Sequence, residues 1–406
     1  MNSVTSPLRQ TLSQPNYRRY AAGNAVSLIG TWIQRVAVGW LAWELTGSAT
    51  WLGIVAFADL FPVIVLGPIG GAMADRRPAL AIVLFVQVAV MVLSGVLTAV
   101  TALEVINIYA LTALVLAQGV FMGFGQPARL ALVYQLVPRA NLANAVAFNS
   151  VVFNLARFIG PVLAGGALVV SGAAAAFAVN TLSFIAFIIA LVRIDLPAAE
   201  LAGHTHAKDD TGLAHQIWHG ARYAFAHARI GPLLLLASLL SIAVRPYVEL
   251  FPAYADQVFN GDAGTLAVMS SSVGLGAMVA GLAMAARRPG DAHLTQVFVS
   301  AGVTAISVLC FALTESYPVA LFVLAVSGGA MVITGVTVQT ALQLSVDTAY
   351  RARVLSLYGI IFRSGPAMGA LAMGIAADSF GLRAPLAIGA VAALTTGLLY
   401  WRRVRT

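Results

Sequence analysis

The chain has 406 residues, of which 60% are hydrophobic and only 9% are charged. Soluble domains carry roughly 25% charged residues, so this chain has too few charged residues to form a water-facing surface. Most of its surface is therefore predicted to face membrane lipid. The net charge of +8 does not indicate a nucleic-acid partner, because the basic residues recur singly or in twos at the ends of alternate apolar runs. Cys310 is the only cysteine, which excludes an internal disulfide.

The apolar runs are long enough to cross a bilayer. Spanning takes about 20 apolar residues in a helix, and the backbone polar groups of a span must be satisfied within helices or a closed barrel. The runs are continuous rather than alternating, which predicts helices. We predict twelve spans, at about residues 20–45, 51–74, 79–101, 106–125, 142–170, 173–191, 232–254, 264–285, 295–313, 318–344, 354–378 and 384–401.

The only long polar stretch begins at Asp195, between the sixth and seventh spans. It leads into Leu213, Ile217, Ala221 and Phe225, whose spacing by four predicts an amphipathic helix on the inner membrane surface. We therefore predict an N-terminal six-helix half at 1–194, a cytosolic linker at 195–229 and a C-terminal half at 230–406. The alternation of basic and charge-poor loops predicts that both termini are cytoplasmic in a multi-pass protein of the inner (plasma) membrane.

The two halves are related by an internal repeat. The sequence Gly-Ala-Met-Ala-Asp-Arg-Arg-Pro at 71–78 returns as Leu-Ala-Met-Ala-Ala-Arg-Arg-Pro at 282–289, an offset of 211 residues. Arg157 and the pair Gly160-Pro161 likewise return as Arg363 and Gly365-Pro366. Parallel repeats of six helices form a transporter architecture in which the substrate binds between the halves near the midplane.

The loop after the second span carries a family motif. Gly71, Asp75 and Arg76 resemble the loop motif of the major facilitator superfamily. The resemblance implies an all-α membrane fold of two pseudo-symmetric six-helix halves, in which this loop ties the second helix to the eleventh and steadies the outward-open state. Here Pro78 stands where the family usually continues with glycine and basic residues, and the second copy replaces the aspartate with Ala286.

Two further segments carry the resemblance. Gly160-Pro161 in the fifth span resembles the Gly-Pro motif of the exporter branches, and it is assigned to gating with the loop motif. The opening, from Asn16 through Trp32 to Ser48, is similar to the group that contains the enterobactin exporter and the macrolide efflux pumps. The resemblance covers nearly the whole chain and implies export without naming a substrate.

Four arginines lie well inside apolar spans, at Arg35, Arg157, Arg245 and Arg363. A charge at mid-membrane costs about 2.5–3.5 kcal/mol even on the lenient insertion scale, so these groups are expected to face a cavity or a partner. Polar residues on the first, seventh and tenth spans extend the predicted substrate-binding set to Asn24, Thr31, Ser241, Gln339 and Gln343. The positive excess favours an anionic or hydrogen-bond-rich substrate.

An alternative stays open for these arginines, namely structural ion pairs with Asp59 or Glu249. The same two carboxylates are the predicted proton-coupling residues, because coupling needs a carboxylate whose pKa is moved by burial or by an arginine. A permanent pairing with arginine would exclude that role.

Taken together, these patterns predict a secondary active transporter rather than an enzyme. It would export a small amphiphilic or anionic compound, siderophore-like or drug-like, by proton-coupled alternating access as a monomer in the lipid bilayer. No Gly-x-x-x-x-Gly-Lys motif is present, so ATP drive within the chain is not expected. Neither a cofactor nor a metal site is predicted, since the linker histidines lack tightly spaced ligand partners. An uptake permease of the same fold and a transporter-like sensor without net flux stay open as alternatives.

Overall fold

The computed structural model describes residues 5–74, 76–196, 222–224, 227, 229–285, 294–347 and 350–405. Within these ranges the ordered elements are all helical. The N-terminal helices are α1 Thr5–Leu12, α2 Pro15–Thr46, α3 Ala49–Ala74, α4 Ala79–Ala102, α5 Ile108–Leu136 and α6 Leu142–Val192. The C-terminal helices are α7 Ile230–Ala243, α8 Ala263–Ala285, α9 Leu294–Leu313, α10 Tyr317–Ser345, α11 Arg351–Phe380 and α12 Arg383–Arg405.

Eleven segments of the described chain are long and apolar enough to cross a membrane. One of them, Arg139–Val192, has 54 residues, which is about 80 Å of helix and more than twice the thickness of a bilayer core. It breaks at Gly172, whose φ of 74° is open to glycine at no steric cost. The break falls in the predicted Ser171-Gly172 loop, so this segment is two spans and the predicted twelve-span fold is confirmed.

The surface of the spans is apolar. Phe85, Leu182, Phe322 and Ile388, from four different helices, are each more than 60% exposed. Large contiguous apolar surface is rare on soluble monomers. The chain is therefore a multi-pass membrane protein whose exposed side chains face lipid.

The described chain forms two compact units. The first comprises Met1–Thr46 with Phe61–His206, and the second comprises Gly47–Leu60 with Ala207–Thr406. A core of the first unit lies where α2, α4, α5 and α6 meet, around the buried rings of Tyr20 and Phe187. A core of the second unit gathers side chains of α7, α9, α10 and α11. Helix α3 is divided between the two units at Leu60 and Phe61.

The seventh span is irregular beyond α7. It continues as a 3₁₀ helix at Arg245–Leu250, a single α turn at Phe251–Ala253 and a π-helical turn at Tyr254–Val258. The sequence pattern predicted one regular helix here. Pro246 and Pro252 lack the N–H groups that an uninterrupted α-helix requires, which accounts for the change of helix type.

Helix α5 is longer than predicted. The fourth span is predicted to end near residue 125, whereas α5 continues to Leu136 and includes Arg129. Arg129 remains inside the helix because its charge has partners in the bundle. Its Nη2 donates a hydrogen bond to Gln87 Oε1 at 3.3 Å, and its guanidinium lies 5.5 Å from the centroid of the Phe187 ring.

The predicted apolar stripe of the linker, Leu213 to Phe225, lies outside the described residues. One described linker residue, Tyr223, contacts the segment between α10 and α11. Its hydroxyl donates a hydrogen bond to Asp347 Oδ2 at 2.8 Å, and its ring stacks on Tyr350 at 4.1 Å. The bond to the carboxylate raises the pKa of Tyr223 above its ordinary value, because it favours the protonated hydroxyl.

Candidate substrate site

In the first unit, one tryptophan joins two of the predicted arginines. Trp32 and Arg35 are three residues apart on α2 and share a face, and the Arg35 guanidinium lies 5.6 Å from the Trp32 ring centroid. Arg157 on α6 lies 5.8 Å from the same centroid. Phe153, one turn before Arg157, meets the Trp32 ring edge-on with centroids 5.9 Å apart. We name the set Arg35, Trp32 and Arg157 the first-half cluster.

Gly160 explains how α6 comes close enough to share this ring. A Cβ built on Gly160 would lie 2.4 Å from Trp32 Cβ and 3.3 Å from the carbonyl oxygen of Ile29. No side chain larger than hydrogen fits that gap without displacing α2. Pro161, the second residue of the motif, is buried beside it. The Gly-Pro motif therefore packs α6 directly against the helix that carries Trp32 and Arg35.

In the second unit, the same motif has the same packing role but a different cationic partner. A Cβ on Gly365 would lie 2.5 Å from Ser241 Cβ on α7, and Ser241 Oγ donates a hydrogen bond to the carbonyl oxygen of Ile361 at 3.1 Å. Arg245, at the start of the 3₁₀ segment, lies 4.2 Å from the Phe362 ring centroid and donates to the Phe362 carbonyl oxygen at 3.0 Å. We name Ser241, Arg245 and Phe362 the second-half cluster.

The other predicted substrate residues are distributed unevenly. Arg363, Gln339 and Gln343 are exposed on α11 and α10. Thr31 donates its hydroxyl proton to the Ser27 carbonyl oxygen at 2.8 Å, a local bond within α2. Asn24 is buried, and its Oδ1 has no hydrogen-bond partner among the described residues. Buried polar atoms normally find a partner, so this oxygen is an acceptor that a substrate donor can use.

The predicted coupling and gating residues occupy helix interiors and ends. Asp59 on α3 and Glu249 on the 3₁₀ segment are half-buried. Gly71 lies in the last turns of α3, and the Arg76 side chain is exposed just beyond it. Asp75 lies outside the described residues, so its pairing stays a prediction.

The sequence analysis missed a network of amides and hydroxyls in the first unit. Gln34 Oε1 accepts hydrogen bonds from Ser94 Oγ and Asn180 Nδ2, each at 2.7 Å, and Gln34 Nε2 donates to Gln118 Oε1 at 2.7 Å. These bonds tie α2 to α4, α5 and the last part of α6. Gln34 directly precedes Arg35, so the network fixes the helix that presents the first-half cluster.

The aromatic partners were not predicted. Trp32 lies at helical spacing from Arg35, so the sequence contained that local signal, whereas Phe362 contacts Arg245 of another helical segment and only the fold brings them together. Phe153 and Trp32 belong to different helices, and only the fold brings their rings together. Helical spacing between an intramembrane arginine and an aromatic residue of the same helix indicates a cation–π pair.

The fold and these clusters define a polytopic transporter with the architecture of the major facilitator superfamily. The chain belongs to the transmembrane secretion effector family, whose model matches residues 3–405. The resemblance recognised in the sequence is confirmed, and the protein is a transporter rather than an enzyme.

Named relatives agree with this class. The chain is 24% identical over 363 residues to macrolide efflux protein A of Streptococcus pyogenes, covering 89% of each chain. It is 26% identical over 347 residues to the enterobactin exporter of Shigella boydii, covering 85% of this chain and 76% of the relative. Staphyloferrin A transporter of Staphylococcus aureus matches at 26% identity over 264 residues, which is 63% of each chain.

A solved structure supports the fold alone. A bacterial homologue of the human lysosomal transporter Spinster, in an inward-facing and unoccupied conformation, matches with a TM-score of 0.69 and 15% identity. The match covers 98% of both chains. The helical arrangement is therefore shared at full length, without implying a shared substrate.

Proposed function

We propose that this protein is a proton-coupled exporter of a small amphiphilic or anionic compound, and that the first-half cluster holds the substrate. The observation that carries the proposal is the placement of Arg35 and Arg157 around one tryptophan ring, 5.6 and 5.8 Å from its centroid. The cluster combines two permanent positive charges with a flat apolar face. A carboxylate or phenolate attached to an aromatic or aliphatic body matches both features.

The chemistry of the guanidinium group supports an anionic substrate. Arginine stays charged at any physiological pH and presents a planar fork of donors that fits a carboxylate with two parallel hydrogen bonds. The Trp32 face attracts each cation by about 0.5–1 kcal/mol at exposed sites and more where water is excluded. Trp32 therefore holds both guanidinium groups 5.6 and 5.8 Å from its ring centroid, where an anion is attracted by both charges.

The names of the relatives support the substrate class and the direction. They include siderophore and drug exporters, and the sequence carries the Gly-Pro motif of the exporter branches. We propose a siderophore-like or drug-like compound as the substrate, moved outward. Both termini are proposed to be cytoplasmic on the positive-inside pattern, and a single chain in the plasma membrane is proposed as the working unit.

Coupling is assigned to Asp59 and Glu249. A carboxylate that exchanges a proton during the cycle must change its surroundings between states, and both residues lie half-buried in helices rather than in loops. The proposal follows alternating access, in which one half rocks against the other around a fixed site.

The direct test is accumulation of candidate siderophores and drugs in everted membrane vesicles, with and without an imposed pH gradient. We expect uptake into the vesicles that collapses when the gradient is dissipated. In Asp59→Asn or Glu249→Gln, transport should continue downhill while its response to the gradient falls.

Two results would contradict the proposal. Full retention of the pH-gradient response by both carboxylate variants would remove the coupling assignment. Accumulation in right-side-out vesicles instead of everted ones would make the protein an uptake permease.

A further inference from the structure

The N-terminus of α3 is capped from another helix. The helix begins after Gly47, whose φ of 57° is left-handed, and its first backbone N–H groups have no partner inside the helix. Asp378, near the end of α11, supplies the missing acceptors. Its Oδ1 accepts from the Ala49 N–H at 2.8 Å and its Oδ2 accepts from the Thr50 N–H at 3.0 Å.

Ser48 completes the cap. Its hydroxyl donates to Asp378 Oδ2 at 2.6 Å and accepts from the Trp51 N–H at 3.4 Å. Three successive N–H groups of α3 are thus satisfied, two of them by a carboxylate that lies about 330 residues away in sequence. The carboxylate also stands at the positive end of the helix dipole, where a negative charge is stabilising.

Glycines bring the two backbones together at the same place. A Cβ on Gly374 of α11 would lie 2.4 Å from the Ala49 carbonyl oxygen, and a Cβ on Gly53 of α3 would lie 2.5 Å from the Ala370 carbonyl oxygen. Small residues on both helices allow the close approach that membrane helix pairs use in place of a hydrophobic driving force. Helices α3 and α11 are therefore closely packed at these glycines, and Asp378 caps the N-terminus of α3 at the end of the contact.

The N-terminus of α8 offers a direct contrast. There Asp262 accepts a hydrogen bond from the Thr265 N–H at 3.0 Å, so this helix is capped by its own chain three residues earlier. A local cap persists however the neighbouring helices move. The cap on α3 is lost when α3 and α11 separate, because the carboxylate belongs to α11.

We propose that the contact between Asp378 and the first turn of α3 is a releasable latch, which holds the outer ends of the second and eleventh spans together in one state of the transport cycle. This inference rests on the proposed function, which supplies the orientation of the chain in the membrane and the transport cycle. The latch acts on α3, the helix whose residues are divided between the two units.

The test is a distance measurement by pulsed electron resonance on purified full-length protein in lipid nanodiscs. Spin labels are attached at Ile54→Cys on α3 and Ser379→Cys on α11, in a Cys310→Ser background. We expect a short distance to dominate in the otherwise unaltered protein. In Asp378→Ala, the ratio of long to short distances should rise about tenfold, which is within the usual range for losing a charged helix cap.

Asp262→Ala is the matched control, since it removes a local cap from α8. It should lower the thermal midpoint and leave the distance distribution unchanged. Ser48→Ala is the second variant, should Asp378→Ala fold poorly. It removes the hydroxyl that donates to Asp378 and accepts from the Trp51 N–H, and it keeps both backbone bonds to Asp378. Its long-distance population should lie between those of the parent and Asp378→Ala.

An unchanged distribution in both Asp378→Ala and Ser48→Ala would overturn the latch, as would an equal change in Asp262→Ala. The measurement needs neither substrate nor a proton gradient. A shift in distance together with failed vesicle transport would support the latch and contradict the exporter proposal. Normal vesicle transport without a shift in distance would support the exporter proposal and contradict the latch.

Discussion

The first-half and second-half clusters use the same helix packing to present different chemistry. In each unit a glycine of the Gly-Pro motif allows close contact with a helix of the same unit, because a Cβ built on Gly160 or Gly365 would lie 2.4 or 2.5 Å from the facing Cβ. In the first unit that packing gathers Arg35 and Arg157 at Trp32. In the second unit Arg245 is bonded to the backbone of α11, and Arg363 is exposed.

The difference indicates that the duplication preserved a scaffold and not a site. Arg157 and Arg363 are related by the repeat. Arg157 shares the Trp32 ring with Arg35, whereas Arg363 is exposed on α11. The charge of Arg245 contributes to holding α11 on an irregular stretch of the seventh span. We therefore assign binding of the substrate anion to the first-half cluster.

The largest expected effect tests the shared scaffold. Gly160→Ala and Gly365→Ala each place a methyl group into a filled gap, so each should lower the free energy of unfolding by about 1–3 kcal/mol. The measurement is the thermal or SDS-induced unfolding midpoint of the purified protein. Gly166→Ala is the control, because a Cβ there has no atom within 4 Å and alanine favours the helix by roughly 0.5–1 kcal/mol. Equal stability of all three variants would contradict the packing role.

The next effect tests the polar network that supports the first half. Gln34→Leu removes the three hydrogen bonds that Gln34 makes with Ser94, Asn180 and Gln118, and we expect a loss of about 2 kcal/mol of unfolding free energy. The second-half comparison is Ser327→Ala, which removes one bond between helices, from Ser327 Oγ to the Tyr247 hydroxyl at 2.7 Å, together with a local bond to the Leu324 carbonyl oxygen. That variant should lose about 0.6 kcal/mol, the average for one hydrogen bond between membrane helices. A larger loss for Ser327→Ala would reverse the comparison.

A third prediction concerns the ring itself. Trp32→Leu removes two cation–π contacts, and we expect KM for an anionic substrate to rise about tenfold, the equivalent of roughly 1.4 kcal/mol. Phe362→Leu removes one contact in the second half and should change KM less than threefold. Initial rates in everted vesicles provide the measurement. An equal rise in KM for Phe362→Leu and Trp32→Leu would contradict the assignment of the substrate to the Trp32 ring.

The smallest effect separates structure from binding in the second half. Arg245→Lys keeps the charge but loses the planar group that lies over Phe362 while bonding its carbonyl oxygen. Unfolding should become easier by about 1 kcal/mol with no change in substrate selectivity. A change in selectivity without a change in stability would assign Arg245 to the substrate.

Much of the fold follows from the sequence because lipid imposes a simple rule. Continuous apolar runs of sufficient length must be helices, and the glycine at residue 172 marks the break between the fifth and sixth spans. The irregular seventh span was missed although Pro246 and Pro252 were visible, since prolines are tolerated in membrane helices when neighbours satisfy the freed backbone groups. The extension of α5 past Arg129 was missed because the partners of that charge, Gln87 and Phe187, come from other helices.

The candidate site was predicted in part. Intramembrane arginines are conspicuous in an apolar sequence, and the repeat relates Arg157 to Arg363. The repeat could not indicate that Arg35 and Arg157 meet at one ring while Arg245 bonds to a carbonyl oxygen, because those contacts depend on which side chains face each other across helices. The cap by Asp378 is equally invisible in sequence, since its acceptor and donors are about 330 residues apart.

The most direct test of the central claim is a paired transport measurement on Arg157→Gln and Arg363→Gln, with an anionic substrate and a neutral one of similar size. We expect Arg157→Gln to lose about tenfold or more in kcat/KM for the anion and little for the neutral compound, the cost of one charge-assisted hydrogen bond. Arg363→Gln should change neither substrate by more than about twofold. Equal behaviour of the two variants across both substrates would contradict the assignment of the substrate to the first-half cluster.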